Sequence, residues 1–159
     1  MTSYKGHELM FSYGMNTNRA LMNLRCQNAT VLGVARLPGH QLNFRYHCDI
    51  TRTANKNHEV HGLLWQLSKD DLAIIDMVEG YPEYYIREPV YVVYDFSRFP
   101  KTVFTCWTYI MNNQEGLEFP DERYYELVKQ GYEENNLPIN QLHDAIDRCS
   151  LYMEPNYGQ

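Results

Sequence analysis

Val60-His61-Gly62-Leu63-Leu64-Trp65-Gln66-Leu67, running straight into Ser68-Lys69-Asp70-Asp71-Leu72, decides the fold. The first eight residues form the most strongly apolar strand candidate in the chain, and they are expected at the centre of a sheet. Ser68 then caps a helix, with Asp71 three residues on as a variant of the capping box. Leu72, Ile75 and Val78 supply its buried stripe until Gly80 stops it. Glu79 therefore falls in the last turn or at the cap. A carboxylate is disfavoured at a helix C-terminus, so Glu79 is not explained by local stability, although a solvated glutamate there costs only about 0.3–1 kcal/mol.

Upstream, residues 9–13 are a short apolar run broken at Gly14. Phe11-Ser12-Tyr13-Gly14-Met15-Asn16 reads as a strand, a tight glycine turn and a helix start, an arrangement that offers backbone N–H groups to an anion. Asn16 or Thr17 is expected to cap that helix through Arg25, with Leu21, Met22 and Leu24 inward. Residues 31–37 read as a buried strand, Pro38-Gly39 as a turn and residues 42–46 as an alternating strand, followed by a second hairpin arm. Residues 51–57 are polar and read as a loop.

Downstream, residues 86–94 and 102–111 read as two long strands joined by a turn over residues 95–100. Pro120 and Asp121 open a helix with Tyr124, Leu127, Val128 and Tyr132 on one face. Pro138 precedes a last helix with Leu142, Ala145 and Ile146 inward. The tail beyond Cys149 has no assignment. Strands outnumber helices and several stand in hairpin relation, so the expected class is α+β, a single domain over residues 1–159 with a mixed, strongly curved, barrel-like sheet flanked by helices.

The chain has 159 residues, 44% of them hydrophobic and 21% charged, enough for one well-packed core and short for two. A net charge of −6 leaves no electrostatic footprint for nucleic acid or anionic lipid. No apolar run approaches membrane-spanning length, and residues 1–7 lack the pattern of a secretory signal. Cys26, Cys48, Cys106 and Cys149 are widely spaced without a Cys-x-x-Cys pair, which points to reduced thiols in a cytoplasmic protein.

Nucleotide-binding glycine loops, a G-x-S-x-G elbow and calcium-loop spacing are all missing from the sequence. In His58-Glu59-Val60-His61 the histidines are three apart at the start of a strand, where they point to opposite faces and do not converge on a metal. Each cysteine reads as a small core hydrophobe. The fourteen tyrosines read mostly as core-edge residues with an apolar ring and a wet hydroxyl. Tyr13, Tyr85, Tyr109 and Tyr124 differ only in falling beside candidate site elements.

From about Met10 to Pro138 the chain resembles the gamma-glutamylcyclotransferase family. Phe11-Ser12-Tyr13-Gly14-Met15-Asn16 resembles the family's Tyr-Gly-Ser-Asn loop, Val34-Ala35-Arg36-Leu37 with Leu42-Asn43-Phe44 the following hairpin, and Val60-His61-Gly62-Leu63-Leu64-Trp65 its Val-x-Gly-x-x-Trp strand. Asp76-Met77-Val78-Glu79-Gly80 with Tyr85 resembles the acidic helix end. Tyr109-Ile110-Met111, the stretch from Tyr124 to Gly131, and Asn136-Leu137-Pro138 resemble the C-terminal part. Each motif is weak alone; their order and spacing are specific.

The resemblance implies a cofactor-independent enzyme that needs no metal. It would act on a small-molecule gamma-glutamyl substrate and release 5-oxoproline plus an amino acid or amine. The substrate's own α-amino group attacks its γ-carbonyl, so no protein nucleophile is required. Glu79 matches the family's catalytic glutamate and would act as general acid and base. Met10, Phe11, Ser12, Tyr13, Gly14 and Met15 would form the binding loop, with Tyr124 reaching the substrate and Tyr85 and Tyr109 as further lining residues. A homodimer is a candidate assembly; nucleic acid and membrane are not expected partners.

Two departures stand out. Met15 replaces the family's serine, which matters only if the hydroxyl and not the backbone N–H contacts substrate. The segment from Gly80 to Tyr85 is one residue shorter than in the animal enzymes. Two other readings stay open at this level: a catalytically inactive binding module of the same fold, and a gamma-glutamylamine cyclotransferase in a biosynthetic pathway.

Overall fold

The computed structural model describes residues 2–94 and 102–154. Its strands are β1 (Ser3–Tyr4), β2 (His7–Ser12), β3 (Thr30–Pro38), β4 (His40–Arg45), β5 (His47–Arg52), β6 (Glu59–Leu67), β7 (Tyr85–Tyr94) and β8 (Thr102–Met111). Its helices are α1 (Arg19–Arg25), α2 (Lys69–Glu79), α3 (Glu122–Glu134) and α4 (Asn140–Met153), with a 3-10 turn over Met15–Thr17.

The main sheet runs β1-β2-β6-β3-β7-β8, and β8 returns to pair in parallel with β2 at Met10 and Trp107. That contact closes β2, β6, β3, β7 and β8 into a five-stranded mixed barrel, the curved sheet expected from the sequence. β6 lies between β2 and β3, as its apolar run predicts. Leu64 and Val60 pack into one core with Leu9 and Phe11, while Leu63, Trp65 and Leu67 pack into a second core with Met10, Met22 and Ile75. A strand covered on both faces requires this continuous hydrophobicity. Each such fully buried side chain contributes about 1.5–3 kcal/mol.

β4 and β5 form a separate hairpin. Asp49, fully buried on β5, ties it to the barrel: Oδ1 accepts from the Met111 N–H at 2.9 Å, and Oδ2 meets Arg45 Nη1 at 2.6 Å and Gln114 Nε2 at 2.9 Å. Burial pushes the Asp49 carboxyl up, and these donors oppose the shift. The hairpin thereby holds His47 and Cys48 in front of one end of the barrel.

Several expectations are corrected. The N-cap of α1 is Asn18, whose side chain accepts from the Leu21 N–H at 3.2 Å. Asn16 and Thr17 are instead consumed by the preceding 3-10 turn and buried in it. Leu24 is 81% exposed because it lies roughly 160° around α1 from Met22, the buried residue of that helix. On α2 the capping box is present, yet Val78 is exposed. At about 100° per residue it lies roughly 120° around the helix from Leu72, whereas Ile75, Asp76 and Glu79 stay on the Leu72 side. In β3 only Ala35 and Leu37 are buried, since its other face is partly open. Thr51 and Arg52 extend β5, so the loop begins later than expected. Ile146 is only partly buried on α4, and Cys149 completes that buried face. The predicted turn over residues 95–100 lies outside the described residues.

Candidate active site

The chain leaves β2 at Ser12 and turns through Tyr13 and Gly14 into the 3-10 turn. Gly14 has φ −124°, so its backbone alone does not demand glycine. Space does: a Cβ there would stand 2.8 Å from Cys48 Cβ. Thr17 and Asn18 donate their N–H groups back to Gly14 and Met15, each at 3.0 Å. The N–H groups of Gly14, Met15 and Asn16 have no acceptor among the described residues, leaving a short row of donors free.

This loop is held from several directions. Trp65 Nε1 donates to the Asn16 carbonyl at 2.9 Å, Tyr132 Oη to the Tyr13 carbonyl at 2.5 Å, and Asn135 Nδ2 to the Thr17 carbonyl at 2.8 Å. α3 presses its backbone against the turn at Gly131, where a Cβ would be 2.3 Å from Thr17 Oγ1 and 2.7 Å from Asn18 N. A rigid loop is the result.

α2 delivers Glu79 to the same place. Gly80, in the left-handed region at φ 67°, ends the helix, with its N–H donating to Met77 at 3.2 Å and that of Tyr81 to Asp76 at 2.9 Å. This double closure is a Schellman motif, and it fixes the direction in which Glu79 leaves the last turn. Asn16 Nδ2 donates to Glu79 Oε1 at 2.7 Å, and Arg25 Nη1 donates to Asn16 Oδ1 at 2.5 Å. Glu79 keeps part of its surface open while protein surrounds its carboxylate. Burial raises its pKa above the usual carboxylate value; the Asn16 hydrogen bond and the Arg25 charge pull it partly back.

A cavity of about 490 Å³ opens between these elements. Phe11, Ser12, Tyr13, Gly14, Met15, Glu79, Tyr85, Tyr109 and Tyr124 all line it. Met10 does not: strand alternation turns it into the second core, where it is fully buried. The Met15 side chain lines the cavity and also packs on the first core, a position a serine would fill incompletely.

The four tyrosine hydroxyls are each engaged. Tyr13 donates to the Tyr109 carbonyl, Tyr85 to the Cys48 carbonyl at 2.6 Å, and Tyr109 to Asp76 Oδ1 at 2.6 Å, while Tyr124 accepts from the Cys48 N–H at 2.9 Å. Burial raises all four phenol pKa values, so they stay neutral. Asp76 is within 3.1 Å of Arg87 Nε, in ion-pair range without the alignment of a hydrogen bond. Arg87 in turn stacks 4.4 Å from the Trp107 ring centroid.

Asn16, Arg25, His47 and Cys48 also line the cavity, and the sequence reading assigned none of them a site role. Asn16 stands inside the glycine-turn motif and carried a signal that was spent on a cap. Arg25, His47 and Cys48 carry no local signal, because hairpin and helix packing bring them in. Burial pushes the Cys48 thiol up to about 12, which leaves almost no thiolate at neutral pH. His47 is lowered by burial and its Nδ1 stands 2.9 Å from Tyr84 Oη. The histidines of residues 58–61 are elsewhere: His58 contacts Thr53 at 3.2 Å and His61 pairs with Glu59 at 3.2 Å.

Residues 10–152 match the family described as gamma-glutamyl cyclotransferase, AIG2-like. The chain belongs to that family. The Gamma-glutamylcyclotransferase of Mus musculus is 32% identical to this family member over 143 residues, 82% of the chain and 72% of the mouse protein. That of Homo sapiens is 30% identical over 144 residues, covering 82% and 73%. A solved gamma-glutamyl cyclotransferase structure superposes with a TM-score of 0.69 at 24% identity, over 95% of this chain and 90% of its own, and so shares the cyclotransferase fold. Among the described residues of this cyclotransferase-family chain, no helix is long and apolar enough to cross a membrane, and no group of three or more His, Cys, Asp or Glu is placed to hold a metal ion.

Proposed function

We propose that this chain converts a gamma-glutamyl amide to 5-oxoproline and a free amino acid or amine, with Glu79 as general acid and base. The observation that carries this reading is the junction of Glu79 with the glycine loop: its carboxylate accepts from Asn16 at 2.7 Å beside the row of free N–H groups.

The substrate's α-ammonium cannot attack until it loses a proton. Glu79, with a pKa raised by burial, is basic enough to take that proton and acidic enough to return it. The freed nitrogen bonds to the γ-carbon, the amide bond to the departing nitrogen breaks, and two protons pass in turn from the attacking nitrogen to the departing one. The N–H groups of Gly14, Met15 and Asn16 offer hydrogen bonds to the α-carboxylate or to the carbonyl oxygen as it gains charge. Closing a five-membered ring from an extended chain is an orientation problem, so a loop pinned at Trp65, Tyr132 and Asn135 contributes by holding the folded-back geometry.

The engaged tyrosines are walls and positioning groups in this scheme, since none is poised to ionise. Unpaired, buried thiols at Cys26, Cys48, Cys106 and Cys149 fit a reducing, cytoplasmic setting. The test is 5-oxoproline release from gamma-glutamyl dipeptides and gamma-glutamyl amines by the wild-type chain and Glu79→Gln. Release by the wild type, lost in the variant, supports the scheme. A folded wild-type protein that releases nothing would leave the fold as a binding module.

A further inference from the structure

α2 carries apolar side chains on two sides. Leu72 and Ile75 face the second core, while Ala73, Ile74, Met77 and Val78 face solvent. At 100° per residue these four fall within an arc of about 140°. Asp70, in the first turn, is the only charged residue of the helix inside that arc. Met77 is 83% exposed, Val78 46% and Ile74 40%, and Tyr81, just past the Gly80 cap, is 40% exposed. A surface helix ordinarily turns charged and polar residues to water, and a helix that is apolar on all sides is a covered one. The bare side chains amount to on the order of 400 Å², the size at which an apolar patch marks an interaction site.

We infer that this outer face of α2 packs antiparallel on the same face of a second copy of the chain. A two-fold axis crossing the helix midway between Ile75 and Asp76 sets Ile74 against Met77 of the partner subunit and Ala73 against Val78 of the partner subunit, and each contact occurs twice. The small Ala73 opposite a branched valine lets the helix axes approach to the ordinary packing distance of about 8–10 Å. The same axis carries Asp70, the one charge of the face, to the far end of the other helix, where Tyr81 and Arg25 stand. Arg25 lines the cavity with Met77 and Val78, and its guanidinium bonds the neutral Asn16 Oδ1 at 2.5 Å and no carboxylate among the described residues. Parallel packing would set Asp70 beside Asp70 and align the two helix dipoles; the antiparallel arrangement removes both repulsions and brings the carboxylate to a cation. With their flanks the two faces cover roughly 1,000 Å² in all, the low end of specific interfaces, which gives a reversible dimer with a Kd on the order of 10 μM. Because Met77 and Val78 also line the cavity, the second copy stands at its rim. The dimer holds whether or not the cavity performs the proposed reaction.

The experiment is sedimentation equilibrium of the full chain over about 1–300 μM, a range that brackets that Kd. The wild type should pass from monomer to dimer across it. Ile74→Glu with Met77→Glu places four like charges in the contact and should raise Kd about 100-fold or more, while Asp70→Lys should raise it about 3-fold to 10-fold. All three substituted side chains are exposed, so the variants keep the fold, which near-UV circular dichroism verifies. Register is read by cysteine cross-linking with a short bismaleimide. Asp70→Cys mixed with Tyr81→Cys should give a linked heterodimer, whereas neither variant should link alone, because positions 70 and 81 stand roughly 16 Å apart along the helix. The four native thiols are buried and do not compete.

A wild-type chain that stays monomeric throughout overturns the inference, as does a dimer whose Kd the two glutamates leave unchanged. Linking by Asp70→Cys alone overturns the antiparallel register. Should the double-glutamate variant misfold, the Kd of Asp70→Lys and the cross-linking pattern still decide.

Discussion

Asn16 and Glu79, sixty-three residues apart, are joined by a 2.7 Å hydrogen bond from Nδ2 to Oε1. The bond locks the glycine loop to the end of α2 and pulls the carboxyl pKa partly back down, because it favours the ionised form that burial disfavours. Asn16→Ala should therefore raise the Glu79 pKa further. The acidic limb of the kcat/KM profile against pH should move to higher pH in the variant, with activity below wild type at neutral pH. An unmoved limb would show that Glu79 is not the titrating base.

Glu79→Gln should abolish most 5-oxoproline release, by about 100-fold or more for loss of a general acid and base. The same change should stabilise the protein at neutral pH. A carboxyl whose folded pKa is raised gives stability that is present below its unfolded pKa and lost as pH rises through the folded value. The wild-type chain should then fall behind the variant as pH climbs out of the ordinary glutamate range, with no gap in acid. Thermal denaturation of both proteins across pH checks the sign.

Gly131→Ala should cost about 1–3 kcal/mol, the range for forcing extra volume into a filled site. Its Cβ would press on Thr17 and the Asn18 backbone, so the 3-10 turn has to shift. Denaturant titration should show the lost stability, and KM should rise as the loop loses its register with Glu79.

Met15→Ser installs the serine of the family loop that residues 11–16 resemble. The Met15 N–H is free whichever side chain is present, while the thioether packs on the first core. We expect kcat within a few-fold of wild type and stability lower by about 1 kcal/mol from the lost apolar contact. A large gain in kcat would assign the hydroxyl a direct role.

Cys48 should be inert. With its thiol pushed up to about 12 and its side chain buried, iodoacetamide at neutral pH should leave activity intact, and mass spectrometry should find Cys48 unmodified in the folded protein. Alkylation of Cys48 with loss of activity would show that the β4–β5 hairpin opens.

Much of this arrangement follows from local pattern. Residues 60–67 specify a central strand because a segment covered on both faces cannot afford polar positions, and Ser68, Asp71 and Gly80 specify where α2 begins and ends because caps and left-handed turns are local chemistry. The glycine turn and Glu79 were legible for the same reason, and the ordered motifs tied them to a family. Tertiary structure alone decided that β8 pairs with β2 to close the barrel, that α3 meets the turn at Gly131, and that Arg25, His47 and Cys48 share a cavity with Glu79. Those juxtapositions depend on long-range packing, in which residues far apart in the chain become neighbours through surfaces that no short stretch of sequence describes. The raised pKa of Glu79 belongs to the same class, since burial by the whole fold pushes it up while an amide and a guanidinium from distant positions pull it partly back.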